Sequence, residues 1–213
     1  MIFSPGMDYF YTSVLIKTNE QSNKNQKSIQ MDIIETKIKD VKILKPKVFG
    51  DSRGYFMETW REEFFRKNIF DKPLVQDNQS SSTIGVLRGL HYQTSHTQGK
   101  LVRVLSGKVF DVAVDLRKSS STFGQYVGVE LSDANKLQFW VPEGFAHGFY
   151  VMSEEAVFAY KCTDYYDPTS EHSIIWDDPT LDIAWPVVKG VKINLSEKDL
   201  NRATSFRDAV YFD

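Results

Sequence analysis

The sequence predicts a mostly β domain, a sandwich or barrel with helices only at its margins. Three observations carry this. Short apolar runs recur from residue 31 onward with turn residues between them, the spacing of strands in an antiparallel fold. Within those runs Val, Ile, Tyr, Phe and Thr are frequent, and these side chains suit a pleated, half-buried surface. Stretches of helical period are few and short, which excludes a helical bundle or an alternating α/β fold.

Residues 18–30 (TNEQSNKNQKSIQ) are nearly all polar, lack an apolar period and read as a connector. Residues 1–30 are therefore expected to be a flexible N-terminal extension to a domain spanning 31–213. The apolar pieces at 9–11 and 14–16 leave open an arm docked on a partner subunit. From Met31, MDIIETKIKDVKILKPKVFG alternates as strands do. A turn at 50–54 leads to a strand at 55–60. Further strands are expected at 86–92, 101–105, 109–116, 126–131, 137–141, 149–152 and 156–163.

Ser106-Gly107-Lys108 reads as a hairpin turn, with Gly supplying positive φ. Residues 109–115 alternate, Asp111 interrupting one face, as in a half-buried strand. Helices are expected at 62–68 and 196–203. Ser196 is a good N-cap for the second, with acids in its first turn.

Hydrophobic residues make up 41% of the 213-residue chain, enough to bury a sizeable core. Net charge is −2, from 26 basic and 28 acidic residues. That balance gives no electrostatic case for nucleic acid or an acidic membrane surface. No apolar run approaches the roughly 20 residues of a membrane span, and the N-terminus lacks the basic region of a signal peptide. The one cysteine, Cys162, precludes a disulfide within the chain, which favours a reducing, cytoplasmic setting.

Five clusters carry candidate chemistry. In GVLRGLHYQ, Arg88 and His91 lie three apart in an apolar strand, so strict alternation puts them on opposite faces; Gly89 permits a bulge that re-aims one. VPEGFAHGF contains P-x-G-x-x-H ending at His147, a pattern that resembles the second cupin signature. The matching first signature is broken: His91-Tyr92-Gln93 has an amide where a second histidine belongs, and Gln98 falls where the acid would be. Gln replaces imidazole or carboxylate poorly, so the barrel is expected without its metal. In AVFAYKCTDYYDP, Tyr160 lies in phase with Phe158, and Tyr165 and Tyr166 close the strand. LSEKD places Asp199 where it could accept the N–H of a barrel histidine. VFGDSRGYFMETW presents Arg53 in a turn, a guanidinium suited to a bidentate phosphate contact.

Taken together, FGDSRGYFMETW, LVQDNQSSS, GVLRGLHYQ, QGKLVRVLSGKVFDVAVDLRK, VPEGFAHGF, YKCTDYYDP and LSEKD resemble, in order, the RmlC family of dTDP-4-dehydrorhamnose 3,5-epimerases. The likeness runs from about Met31 to Asp208 and leaves residues 1–30 unmatched. It implies a cupin-type β-barrel, a jelly roll with a few peripheral short helices. It implies His91 as general base, Asp199 as its orienting acid, Tyr160 as opposed proton donor and Lys100, with Arg88, near the sugar ketone. His147 would line the same pocket. Phe49, Arg53, Glu58, Gln76, Asp77, Asn78, Tyr166, Glu171 and Lys198 match positions that hold the nucleotide and its diphosphate. The resemblance further implies no metal or organic cofactor, a nucleotide-sugar substrate, and a homodimer with exchanged N-terminal strands, so that Phe49, Arg53 and Glu58 serve the partner's site.

Carbons 3 and 5 of a 4-keto sugar flank one carbonyl, so losing a proton from either gives an enolate with its charge on O4. Inversion needs a base, an acid on the opposite ring face and a positive group near O4, which are the roles implied for His91, Tyr160 and Lys100. A mono-epimerase, a 3,4-ketoisomerase or a non-catalytic sugar-binding cupin are the alternatives; the intact His91, Tyr160 and Asp199 set favours double inversion.

Overall fold

The computed structural model describes residues 31–213, so the expected extension and the docked-arm alternative lie outside the described residues. In chain order the first strands are β1 (Met31–Glu35), β2 (Lys42–Pro46), β3 (Val48–Asp51), β4 (Gly54–Met57), β5 (Gln76–Thr83) and β6 (Leu87–Gln93). There follow β7 (Lys100–Ser106), β8 (Lys108–Asp115), β9 (Tyr126–Ser132), β10 (Gln138–Val141), β11 (Phe145–Val151), β12 (Glu155–Cys162) and β13 (Glu171–Ser173). The two α-helices, α1 (Glu62–Asn68) and α2 (Glu197–Arg202), are short and lie where expected, Ser196 capping the second by accepting the Asp199 N–H. Among the described residues no helix is long and apolar enough to cross a membrane.

Two antiparallel sheets form the barrel. One runs β1-β2-β10-β7-β12-β5, the other β13-β6-β11-β8-β9, while β3 and β4 make a separate hairpin. Alternation along β7 and β12 sends Val102, Val104, Phe158 and Tyr160 inward, where they meet Val109, Ala113 and Phe149 of the second sheet in one core. This is the barrel architecture expected.

Three details differ from expectation. Ser106-Gly107-Lys108 does not close a hairpin: β7 pairs with β10 and β12, β8 with β11 and β9, so the turn carries the chain from one sheet to the other. Gly107 does adopt positive φ, +81°. Strand β8 is buried on both faces, because residues 174–212 cover its outer side; Phe110, Val112 and Val114 pack there against Ile174, Leu181 and Phe206. Strand β5, QDNQSSST, lacks the apolar alternation that marks a strand. It forms because its whole length pairs with β12, from Thr83↔Glu155 to Gln76↔Cys162.

The bulge permitted by Gly89 is present. His91 is opposite His147 and Arg88 opposite Phe149, so β6 spends three steps where β11 spends two. Leu90 and Tyr92 point into the outer core, while His91 takes a half-buried place on the other side and Arg88 stays exposed, reaching Ser82 of β5. Only glycine fits: a Cβ on Gly89 would lie 2.5 Å from Gly148 Cα and 2.7 Å from the His147 carbonyl oxygen, at φ +120°.

Gly89→Ala is therefore expected to cost about 3 kcal/mol or more and to collapse activity with it. Gly190→Ala is the control: φ is +82° there but nothing lies within 4 Å, so strain alone should cost about 1–2 kcal/mol. Equal shifts in chemical denaturation midpoint for the two variants would contradict the close-approach account.

Candidate active site

His91 and Asp199 are separated by 108 residues and meet at 2.5 Å, Nε2 to Oδ1. The chain achieves this by returning along the open side of β6: residue 194 bridges to Val86, and Thr204 to Ile174. Helix α2 then holds Asp199 over β6. Ser196 Oγ donates to the second carboxylate oxygen at 2.7 Å, and the Asp199 N–H donates back to Ser196 Oγ at 3.1 Å. Burial alone would raise the Asp199 pKa, but the His91 hydrogen bond and charge, with Ser196 and Lys198, outweigh it and lower the value. An ionised Asp199 fixes the proton on Nε2 and leaves the lone pair on Nδ1.

A second histidine–carboxylate pair lies deeper. His147 Nε2 is 2.9 Å from Asp111 Oδ1, and both side chains are almost wholly buried. Asp111 Oδ2 has no hydrogen-bond partner among the described residues. Lys100 is near enough that its charge acts on Asp111, and that of Asp111 on Lys100. Burial pushes both toward neutrality, lifting the carboxyl and lowering the ammonium, while their mutual attraction and that of Glu171 for Lys100 oppose this.

Tyr160 projects inward from β12 on the opposing sheet, its ring 6.0 Å from Phe158, which stacks on His147 at 6.2 Å. Burial raises its pKa, so the phenol keeps its proton at neutral pH, although the nearby Arg88 charge pulls the other way. Cys162, next inward on β12, is fully buried, and burial pushes its thiol up to about 11. The His91 charge acts on Glu171, and that of Glu171 on Lys100 and Tyr160, which ties the three to one region.

The rim is built from polar side chains. Glu171 accepts from Tyr166 Oη at 2.6 Å and from Lys198. These three line a cavity of about 360 Å³ with His172 and Arg202. Arg88 reaches across to Ser82 Oγ of β5 at 2.9 Å. Gln76 and Asn78 are half of an alternation, joined at 3.1 Å, with Asn78 Nδ2 3.9 Å from Cys162 Sγ. Asp77, between them, instead pairs with Lys161 at 2.6 Å beside a groove that also contains Arg103 and Leu105.

Four predicted residues are not gathered with the rest: Asp77, turned to the outer groove with Lys161, and three near the N-terminal hairpin. Phe49 lies on the exposed β3–β4 hairpin, and Arg53 at its tip pairs with Asp51 at 2.6 Å. Glu58 pairs with Arg61 at 2.7 Å and lines a crevice with Leu44 and Leu101 on the outside of the six-stranded sheet. Conversely, Asp111 was missing from the predicted set. Its signal was present, an acid inside VFDVAVD, since a carboxylate in a doubly buried strand needs a partner.

No group of three or more His, Cys, Asp or Glu side chains is placed to hold a metal ion among the described residues. Gln93, at the position of a metal histidine in the cupin signature, turns its amide to backbone groups of two rim loops.

Comparison with known proteins identifies the family. A family profile described as dTDP-4-dehydrorhamnose 3,5-epimerase matches residues 35–208. The Neisseria gonorrhoeae dTDP-4-dehydrorhamnose 3,5-epimerase is 58% identical over 170 residues, covering 80% of this chain, which spans about half (51%) of that relative's length. The Shigella flexneri enzyme of the same name is 54% identical over 184 residues, 85% of this chain and 99% of its own. A crystal structure of the Legionella pneumophila Philadelphia 1 dTDP-6-deoxy-D-glucose-3,5-epimerase RmlC, in complex with dTDP-4-keto-L-rhamnose, superposes with a TM-score of 0.79. It is 55% identical and covers 82% of this chain and 92% of its own.

The lowered Asp199 pKa makes a stability prediction. Because the native value lies below the ordinary 3.8, the stabilisation is present above that pH and is lost as pH falls through the native value. At pH 7, Asp199→Asn should cost about 1.5–3 kcal/mol, as for hydrogen bonds to charged groups. In denaturant titrations the gap to wild type should close as pH drops from about 4 downward. A gap independent of pH would mean the carboxylate charge contributes nothing.

Proposed function

The chain belongs to the dTDP-4-dehydrorhamnose 3,5-epimerase family, and on that premise we propose that it is an isomerase converting dTDP-4-dehydro-6-deoxy-D-glucose to dTDP-4-dehydro-L-rhamnose by inverting carbons 3 and 5. The observation that carries the reading is the His91–Asp199 hydrogen bond on one sheet with a protonated Tyr160 on the opposing sheet.

His91 Nδ1 takes the proton from carbon 3 or 5, and the electron pair of the broken C–H bond moves through the ring carbon to O4. Asp199 stabilises the resulting imidazolium. Lys100 supplies positive charge to the enolate oxygen, in a buried site where such an interaction is worth about 10²- to 10³-fold in rate. The His147–Asp111 pair backs this region: an ionised carboxylate there favours the charged ammonium and offsets part of the burial that lowers the Lys100 pKa. Tyr160 returns a proton to carbon from the other ring face. The base then passes its proton to solvent, the Tyr160 phenolate takes one back from solvent, and the cycle repeats at the second carbon. The chemistry asks no metal or organic cofactor of the protein, and the setting is cytoplasmic.

The nucleotide and diphosphate occupy the rim around Tyr166, Glu171 and Lys198, with Gln76, Asn78 and Arg88 beside them. Phe49, Arg53 and Glu58 serve the site of a second copy. The support is geometric: the β3–β4 hairpin exposes Phe49, Tyr55 and Phe56 by 44%, 58% and 61%. The adjoining sheet face carries a groove of about 280 Å³ with Leu105, Ala159 and a half-desolvated Arg103. Exposed apolar surface of this kind marks an interface, and a two-fold axis delivers each hairpin to the other barrel.

Proton NMR in deuterated water with dTDP-4-keto-6-deoxyglucose should show deuterium entering at both carbons. Label at one carbon only would sink the double inversion. His91→Ala should slow exchange at both by about 10²-fold or more with dTDP affinity nearly unchanged, while Tyr160→Phe should exchange protons yet invert poorly.

The exchanged dimer predicts complementation. Arg53→Ala should chiefly raise KM. Co-expressed with His91→Ala, it forms mixed dimers in which one barrel has both residues intact. Activity at low substrate should recover to about a quarter of wild type for random pairing; no recovery above the sum of the two homodimers would refute exchange.

A further inference from the structure

We infer that Gln93 is a positioning residue for nucleotide binding, acting through Tyr166; the inference rests on the reading of Tyr166 as part of the nucleotide subsite. Gln93 ends β6 and is 5% exposed. Its amide is almost fully used. Nε2 donates to the carbonyl oxygens of His96 at 2.7 Å and Tyr165 at 3.2 Å, and Oε1 accepts the Asp167 N–H at 3.1 Å. One side chain therefore joins two loops of the rim, 94–99 and 163–170.

The sequence position of these contacts is what matters. Tyr165 and Asp167 flank Tyr166, so Gln93 holds the backbone on both sides of it. The Tyr166 N–H itself donates to Gln76 Oε1 at 2.9 Å. The hydroxyl is fixed by Glu171, which leaves the ring half exposed at 52%. An aromatic side chain on a loop pays ordering entropy when a ligand stacks on it, and that cost falls if its backbone is already held. Gln93 touches neither the dyad nor Lys100 by any hydrogen bond found among the described residues, so its effect should reach binding and leave the chemical step alone. An amide serves where a histidine would not, because two donors and an acceptor must leave one planar group.

The test uses Gln93→Met, similar in size but without hydrogen-bonding groups, and Gln93→Glu, which keeps the acceptor but turns a carboxylate toward two carbonyl oxygens. Calorimetric Kd for dTDP and KM for the 4-keto sugar nucleotide should each rise about ten-fold, with kcat within about two-fold of wild type. Tyr166→Ala should show a similar loss, and Gln93→Met combined with Tyr166→Ala should be no worse than the weaker-binding single variant. Additive losses would overturn the coupling. So would unchanged Kd and KM with only a lower melting temperature or active fraction, the outcome for a merely structural glutamine. A wild-type chain that binds dTDP but does not epimerise would refute the proposed function while the dTDP cycle still decides Gln93; a wild-type chain that does not bind dTDP would overturn both.

Discussion

The extra residue in β6 at Gly89 is the constraint on which the site depends. A regular strand places residues three apart on opposite faces, and Arg88 and His91 would then divide between the barrel interior and the outer core. With Gly89 set against Gly148, the backbones approach too closely for any side chain, and the irregularity in register rotates His91 inward while leaving Arg88 at the rim. The surrounding ladder holds this in place. Strand β11 is paired on its other side to β8 along its whole length, Phe145↔Asp115 to Val151↔Val109, so β6 must accommodate β11 and not the reverse.

Burying charge in the core that results is costly, and the arrangement reduces that cost by pairing. Lys100, Asp111 and His147 occupy the same interior as Val102, Phe149 and Phe158. An isolated ammonium there would lose several kcal/mol of solvation. Asp111 opposes that loss from below and Glu171 from the rim. Among the described residues Asp111 Oδ2 is left without a hydrogen-bond partner.

Much of this was legible in the chain. The barrel followed from the spacing of apolar runs, α2 from its capping residues, and the bulge from a glycine between two polar residues in one strand. What escaped did so for physical reasons. Strand β5 is polar on both faces because it is an edge strand, one set of side chains at the rim and the other at the outer groove, so no apolar period exists to be read. The turn at Gly107 has hairpin chemistry, yet whether two strands share a sheet is decided by distant partners, here β12 and β11. Asp111 was visible only as an interruption; its meaning needed His147, which alternation alone could not align with it. The places of Phe49, Arg53 and Glu58 came from resemblance; in one chain all three lie outside the barrel interior.

The two-sheet architecture suits a reaction that must remove a proton from one side of a ring and return it to the other. Side chains on a single sheet face project in one direction and can address one face of a flat enolate. Two sheets packed face to face stand about 10 Å apart, which leaves space for one sugar ring between inward-pointing groups. The proposed base belongs to the five-stranded sheet and the proposed acid to the six-stranded one. Lys100 sits on the strand beside the acid, with Cys162 opposite it in register. An enzyme that inverts configuration needs its acid and base fixed against each other more than it needs either to be strong. Here the two groups stand on strands of different sheets, β6 and β12, with Phe158 packed against both His147 and Tyr160 as apolar backing that takes no part in the proton transfers.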